Sequence, residues 1–224
     1  MSSSWREEIG AVFQKEVRTE LRSKSGILTG GLFSVITVVA IAFGSSYSTL
    51  DSTLAAGLLW VSLTFAATIS LPRIFLAEEE QGTADLLRLI ARPHAVFWGK
   101  ALFNLAQLLV QAVVLSVLFV VLVGLEITSP LVFAAGLALG CAALAGAVTF
   151  CAALVAQASN RAVLAAVIAL PLLIPLIAVG IAALRVSLGA GLPEQGTQAL
   201  LGLLGYAGAV FAAGPYLFAA VWRN

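Results

Sequence analysis

Charged side chains make up only 10% of this chain, and where they are missing matters more than how few they are. The acids are Glu7, Glu8, Glu16, Glu20, Asp51, Glu78, Glu79, Glu80, Asp85, Glu126 and Glu194, and none falls in the middle of a long apolar run. A proton- or sodium-coupled carrier keeps an ionisable residue within the bilayer, where the coupling ion must bind, so the energy source lies elsewhere. The chain contains no G-x-x-x-x-G-K-[ST] phosphate cradle, which excludes nucleotide hydrolysis by the chain itself and leaves no catalytic residue to assign. His94 is the single histidine and has no second ligand nearby in sequence, so it reads as a solvated loop residue, and no metal site is expected. Cys141 and Cys151 are the only cysteines. On one helix they would stand roughly 15 Å apart, too far for a bridge, and they read as small packing residues. A net charge of +1 with no basic face argues against nucleic acid as a partner.

What the chain has in excess is apolar surface. Hydrophobic residues make up 61% of it, against roughly 45–50% in an ordinary soluble domain. Six runs approach the length of about 20 residues needed to cross a bilayer: Ile27–Phe43, Leu54–Leu71, Ala101–Leu125, Leu131–Ala156, Ala162–Leu184 and Gln198–Val221. The expected fold is all-α: a six-span membrane domain over residues 26–224, preceded by an amphipathic helix over residues 1–25. The short stretch Gln157 to Arg161 makes spans four and five a tight hairpin. If the N-terminus is cytoplasmic, Arg6, Lys15, Arg18, Arg22, Lys24, Arg73, Arg88, Arg92, Lys100, Arg161 and Arg223 all lie inside, and only Arg185 lies outside. The positive-inside rule therefore puts both termini in the cytoplasm. A cleaved signal peptide fits poorly, because the first run exceeds the roughly 7–15 residues of a signal core and four glutamates precede it.

In the N-terminal segment, Ser4 and Glu7 form an S-x-x-E capping box, and Trp5, Ile9, Val12, Phe13, Val17 and Leu21 recur at helical spacing. The opposite face carries Gln14, Arg18 and Arg22. Such a helix suits the headgroup plane, with Trp5 and Phe13 dipping into the lipid bilayer; a partner-binding cytoplasmic helix is the alternative.

Within the spans, Asn104, Gln107 and Gln111 form one polar stripe on the third. Unsatisfied amides in lipid are costly, so the stripe faces either another helix or a substrate path. Gly26-x-x-x-Gly30 and Gly136-x-x-x-Gly140 suggest close helix contacts. Pro171 and Pro175 stand on one face of the fifth span and leave the carbonyls of Val167 and Pro171 without helical donors, so a bend is expected there.

The loop over residues 73–100 contains "AEEEQGTADLLRLIARPHAVFWGK", Ala77 to Lys100. Thr83 suits an N-cap and Asp85 the first turn of a short helix, which Arg92-Pro93 then stops. Leu86, Leu87, Leu89 and Ile90 give it an apolar flank that a purely solvated acidic loop would not need. Leu86, Leu87 and Ile90 are expected to fill a groove on a soluble partner, with Glu78, Glu79 and Glu80 meeting basic residues at its rim.

The layout of N-terminal helix, six spans and "E-x-x-x-G-T-x-D-L-L…P" (Glu78, Gly82, Thr83, Asp85, Leu86, Leu87, Pro93) resembles the membrane subunit of an ABC-2 exporter. With Gly57-Leu58-Leu59-Trp60-Val61 and "LPLLIP" it resembles, more narrowly, the haem exporter B (CcmB) family of the cytochrome c maturation system. The resemblance implies a bacterial inner-membrane permease, two copies assembling with two copies of an ABC ATPase. It also implies a tryptophan-rich haem-handling membrane subunit and a small membrane subunit as partners. ATP would act through the ATPase subunit, and no cofactor is assigned to this chain. Haem enters as a candidate substrate only, since the tryptophan-rich haem-handling motif is absent here. An ABC-2 permease for lipid, glycan or drug, and a mechanical adaptor that transports nothing, are the competing readings. On the orientation derived above, an alkaline-phosphatase fusion after Asn224 should be inactive and one at Gly191 active; the reverse pattern would invert the topology.

Overall fold

The computed structural model describes residues 4–45, 50–70, 75, 78, 82–156 and 161–222. Eight α-helices follow one another among these residues, and no strand occurs among them. Helix α1 (Trp5–Ser23) carries the expected capping box, the Glu7 amide donating to Ser4 Oγ and the Ser4 amide to the Glu7 carboxylate. Lys24, in the left-handed region at φ 56°, separates it from α2 (Ser25–Gly44). Then come α3 (Ser52–Ser70), the short α4 (Ala84–Ile90), α5 (Pro93–Leu118), α6 (Pro130–Ala156), α7 (Arg161–Ser187) and α8 (Pro193–Trp222). A π-helical turn, Phe119–Val123, prolongs α5 and ends at Gly124, whose φ of 74° only glycine adopts freely.

Six of these helices are long and apolar enough to cross a membrane, and each overlaps one of the runs expected from hydropathy. Two begin a turn or more before the apolar runs do. Pro93 and Pro193 sit at the starts of α5 and α8, where a missing N–H costs nothing and a fixed φ favours the first turn. Residues 93–100, read from sequence as the end of a loop, are therefore the first two turns of α5. His94 belongs to that helix, its ring edge-on to Tyr216 at 5.3 Å, and is not a loop side chain. The hairpin residues Gln157–Asn160 lie outside the described residues.

The N-terminal helix is not laid on lipid by its whole apolar stripe. It packs along α5, burying Val12 and Glu16, with Val12 pressed against Gly99 where any side chain would collide. Trp5 and Leu21 stay exposed. The reason is electrostatic: Glu16 is paired with the buried Lys100 of α5.

Helix α6 is the centre of the bundle and packs on α3, α5, α7 and α8. Many of its buried residues are small: Cys141, Ala143, Ala145 and Ala147 are inaccessible, and both cysteines are free, in keeping with a packing role. In lipid, where apolar side chains gain nothing by leaving their solvent, helices associate by close backbone approach, and small residues permit it. The main core is keyed by Trp60 of α3, fully buried between Gly140 of α6 and Gly180 of α7. A Cβ on either glycine would overlap the indole. Outward, Leu131, Val167, Leu170, Ile174, Leu201 and Leu204 remain exposed, the surface expected of spans in hydrocarbon.

This wedge should behave as one unit. Trp60→Ala should cost about 3–5 kcal/mol by the lost packing of a buried aromatic, and Gly180→Val about 1–3 kcal/mol by overpacking. In the double variant the added methyls occupy the vacated space, so its loss should be smaller than the sum, read from unfolding midpoints in detergent.

Candidate functional site

At the α1 end of α5 the chain does something membrane proteins avoid: it fully buries an ammonium. Lys100 has 0% exposure. A charge in such a place is tolerated only with counterions and hydrogen bonds, and two carboxylates supply them. Lys100 Nζ donates to Glu16 Oε1 of α1 at 2.8 Å and pairs with Glu78 Oε2 at 2.9 Å; Glu16 and Glu78 are 4% and 6% exposed. Lys15 closes the network through Glu16 at 3.1 Å and through Glu78, so two cations balance two anions. The Phe75 ring lies 4.6 Å from Lys100 Nζ, adding a cation–π contact on the remaining side. A peripheral pair, Arg92 Nε to Glu8 Oε1 at 3.4 Å, joins the same two helices. Burial alone would lower the Lys15 pKa, but Glu16 and Glu78 outweigh it and hold the ammonium above its ordinary 10.5. The stability linked to Lys15 is thus fully present below pH 10.5 and lost only as pH rises through the folded value.

Glu78 therefore faces inward. The expectation that it meets a partner's rim differs from its placement, because Lys100 and Lys15 require its carboxylate inside the chain. Glu79 and Glu80 lie outside the described residues, as does the Asp85 side chain. Gly82 adopts φ 66°, the left-handed turn that leads into α4. Thr83 holds the N-cap position but does not cap with its side chain: its hydroxyl and amide both donate back to the Glu78 carbonyl, at 3.4 and 2.9 Å. The start of α4 is thereby tied to the residue that holds Lys100.

Helix α4 presents Leu86, Leu89 and Ile90 outward, 58%, 84% and 70% exposed. Leu87, expected on the docking face, turns inward onto an aromatic cluster of Phe75, Phe97, Phe218 and Trp222, and Leu89 takes its place outside. Helical spacing accounts for the exchange, since i, i+3 and i+4 share a face and i+1 does not. Arg88 stacks 5.2 Å from the Trp222 ring, so α4 is held on its inner side by the end of α8. Pro93 opens α5 directly after.

The polar stripe is helix contact. Asn104, Gln107 and Gln111 are all buried; Asn104 Nδ2 donates to Thr149 Oγ1 of α6 at 2.8 Å, and that hydroxyl donates on to the Ala145 carbonyl at 2.6 Å. Gln107 and Gln111 occupy the space left above Gly26 and Gly30 of α2, where a Cβ would collide with their amides. Glu20 completes that joint by accepting from the Ile27 amide at 2.8 Å. Pro171 and Pro175 lie within a continuous α7, and between them the Leu172 carbonyl accepts from Tyr206 at 2.6 Å. No group of three or more His, Cys, Asp or Glu able to hold a metal occurs among the described residues.

Six apolar helices with a charge-braced, outward-facing short helix between the second and third define a polytopic membrane protein of permease architecture. The chain belongs to the CcmB family, whose sequence model, described as "CcmB protein", matches residues 7–224. It is 32% identical over 172 residues to the Heme exporter protein B of Rhodobacter capsulatus, covering 76% of this chain and 79% of that protein. It is 29% identical over 178 residues to the Heme exporter protein B of Bradyrhizobium diazoefficiens, covering 78% and 80%. The protein of the same name from Pseudomonas aeruginosa is 32% identical over 169 residues, 72% of each chain.

Because the network balances charge internally, removing one member should hurt more than removing a pair. Lys100→Met should cost about 3–5 kcal/mol by leaving the buried Glu16 and Glu78 only Lys15 to share, and Lys100→Met with Glu16→Gln should regain part of it, again by unfolding midpoint.

Proposed function

We propose that this chain is the membrane-spanning permease subunit of an ABC complex that serves haem export and cytochrome c maturation. Membership of the CcmB family and three relatives named Heme exporter protein B support that reading. The single structural observation that carries the coupling role is the exposed Leu86, Leu89 and Ile90 face of α4, backed by the buried Lys100 network. In this reading a separate ATPase subunit hydrolyses ATP and seats that face in a groove. Two copies of each subunit assemble, with a haem-handling membrane subunit and a small membrane subunit beside them. The complex resides in the bacterial inner membrane with both termini of this chain cytoplasmic, as the eleven-to-one distribution of Lys and Arg argues. Haem, or the haem-loaded chaperone, is the cargo acted on; no residue of this chain is assigned to bind it.

Within that reading, one observation favours mechanical work over conduction through a single copy. The polar stripe that would line a path is buried in helix contacts, Asn104 against Thr149 and the glutamines against Gly26 and Gly30. ATP-driven motion that releases a loaded chaperone needs a stiff subunit of this kind.

Burying an aliphatic side chain contributes about 1.5–3 kcal/mol, so losing one should weaken ATPase binding by about tenfold or more. Leu89→Asp and Leu86→Asp should each lower copurified ATPase per permease and the yield of c-type cytochromes at matched permease levels, while Leu87→Asp should instead lower the permease level itself. Normal values of both readouts for Leu86→Asp and Leu89→Asp would remove the docking assignment.

A further inference from the structure

An apolar groove of about 470 Å³ runs between α1 and α5, on the face of α5 away from the polar stripe. Each wall is a helical stripe at i, i+3, i+4 and i+7: Arg6, Ile9, Gly10 and Phe13 on α1, and Leu102, Leu105, Ala106 and Leu109 on α5. The third position of each stripe is small, Gly10 on α1 and Ala106 on α5. Apart from its chain neighbours and the backbone of its own helix, no atom lies within 4 Å of the place a Gly10 Cβ would take. The α5 wall belongs to the apolar span, with Leu102 and Leu109 partly open to its surroundings, so the groove opens toward hydrocarbon. The one charged residue lining it is Arg6, which forms no ion pair among the described residues; the nearby Glu8 carboxylate is taken by Arg92.

We propose that this groove holds an anionic phospholipid from the leaflet adjoining α1, with an acyl chain along Gly10 and Ala106 and the phosphate at Arg6. Charge complementarity selects the occupant. A neutral apolar segment would bury Arg6 without a counterion, whereas a lipid phosphate accepts the guanidinium's paired donors. The volume falls within the range of about 300–1,000 Å³ typical of small-molecule sites. A lipid seated there would cement α1 to α5 on the side opposite Lys100 and Glu16, bracing the N-terminal helix on both flanks.

The test uses the full chain in vesicles of phosphatidylcholine with one quarter phosphatidylglycerol, extracted in mild detergent, with retained lipid counted by native mass spectrometry. Wild type should retain phosphatidylglycerol in preference to phosphatidylcholine. Arg6→Gln should reduce that preference about fivefold while leaving total retained lipid near normal. Gly10→Leu puts an aliphatic side chain into the groove from a position whose Cβ has open space, and should abolish the preferential retention of phosphatidylglycerol, whereas Gly208→Leu, on an open face of α8, should leave it unchanged. Equal retention of the two lipids by wild type would overturn the headgroup assignment, and unchanged retention in Gly10→Leu would overturn the site. Gly10→Cys gives an accessible thiol in a chain whose own cysteines are buried; a disulfide-linked dimer through it would assign the groove to a second copy and overturn the proposal as well.

Discussion

The buried Lys100 ammonium is the constraint from which the organisation of this end of the molecule follows. Placing an ammonium in a low-dielectric site costs several kcal/mol even after relaxation, and the cost is offset only by charges that are themselves held in place. Glu16 and Glu78 come from segments 84 and 22 positions away in sequence, so satisfying one lysine fixes the approach of two otherwise independent elements. This is why α1 turns Val12 and Glu16 fully into α5, while Ile9, Phe13 and Val17 are only half-buried. It is also why the Phe75 and Glu78 side chains are buried before α4 begins, with the Glu78 carbonyl receiving both donors of Thr83.

Elsewhere the bundle is held by shape. Trp60 between two glycines, Val12 on Gly99, and Gln107 and Gln111 over Gly26 and Gly30 are variants of one device, in which a missing side chain on one helix receives a bulky or polar one from another. The device suits lipid, where packing and interhelical hydrogen bonds must supply what the hydrophobic effect supplies in water. Asn104 and Thr149 add the polar counterpart, a bond between α5 and α6 that orients as well as attracts.

Much of this was legible in the sequence. Hydropathy found all six spans, the capping box marked the start of α1, and the small-residue spacings pointed to real contacts. What escaped was tertiary. Lys100 looked like one more basic residue at the inner edge of a span, because orientation statistics count charges without asking what they face. A signal was present in α1: Glu16 falls four residues after Val12, within the apolar stripe, where an unpaired carboxylate has no reason to be. Leu87 and Leu89 could not be ordered by hydrophobicity, since both are leucine; only helical phase and the position of Trp222 separate them. Arg92-Pro93 does stop α4, but His94 falls in a helix and not in a loop, because the same proline opens α5.

These placements bear on how a push at α4 would travel. A short helix on a pliant loop would absorb displacement by bending. Here α4 is tethered on two sides: through Gly82, Thr83 and Glu78 to Lys100 of α5, and through Leu87 and Arg88 to Trp222 at the end of α8. Helices α5 and α8 also pack on each other and on α6. Closely packed interiors transmit strain and deform little, so a displacement of the Leu86, Leu89 and Ile90 face is delivered to three spans at once. The ionic tether has a further property. Because its charges are mutually compensating, sliding Glu78 from Lys100 exposes both to an unfavourable environment, so the joint resists partial movement and favours staying closed or moving as a unit. That behaviour suits a subunit driven by a partner in discrete steps.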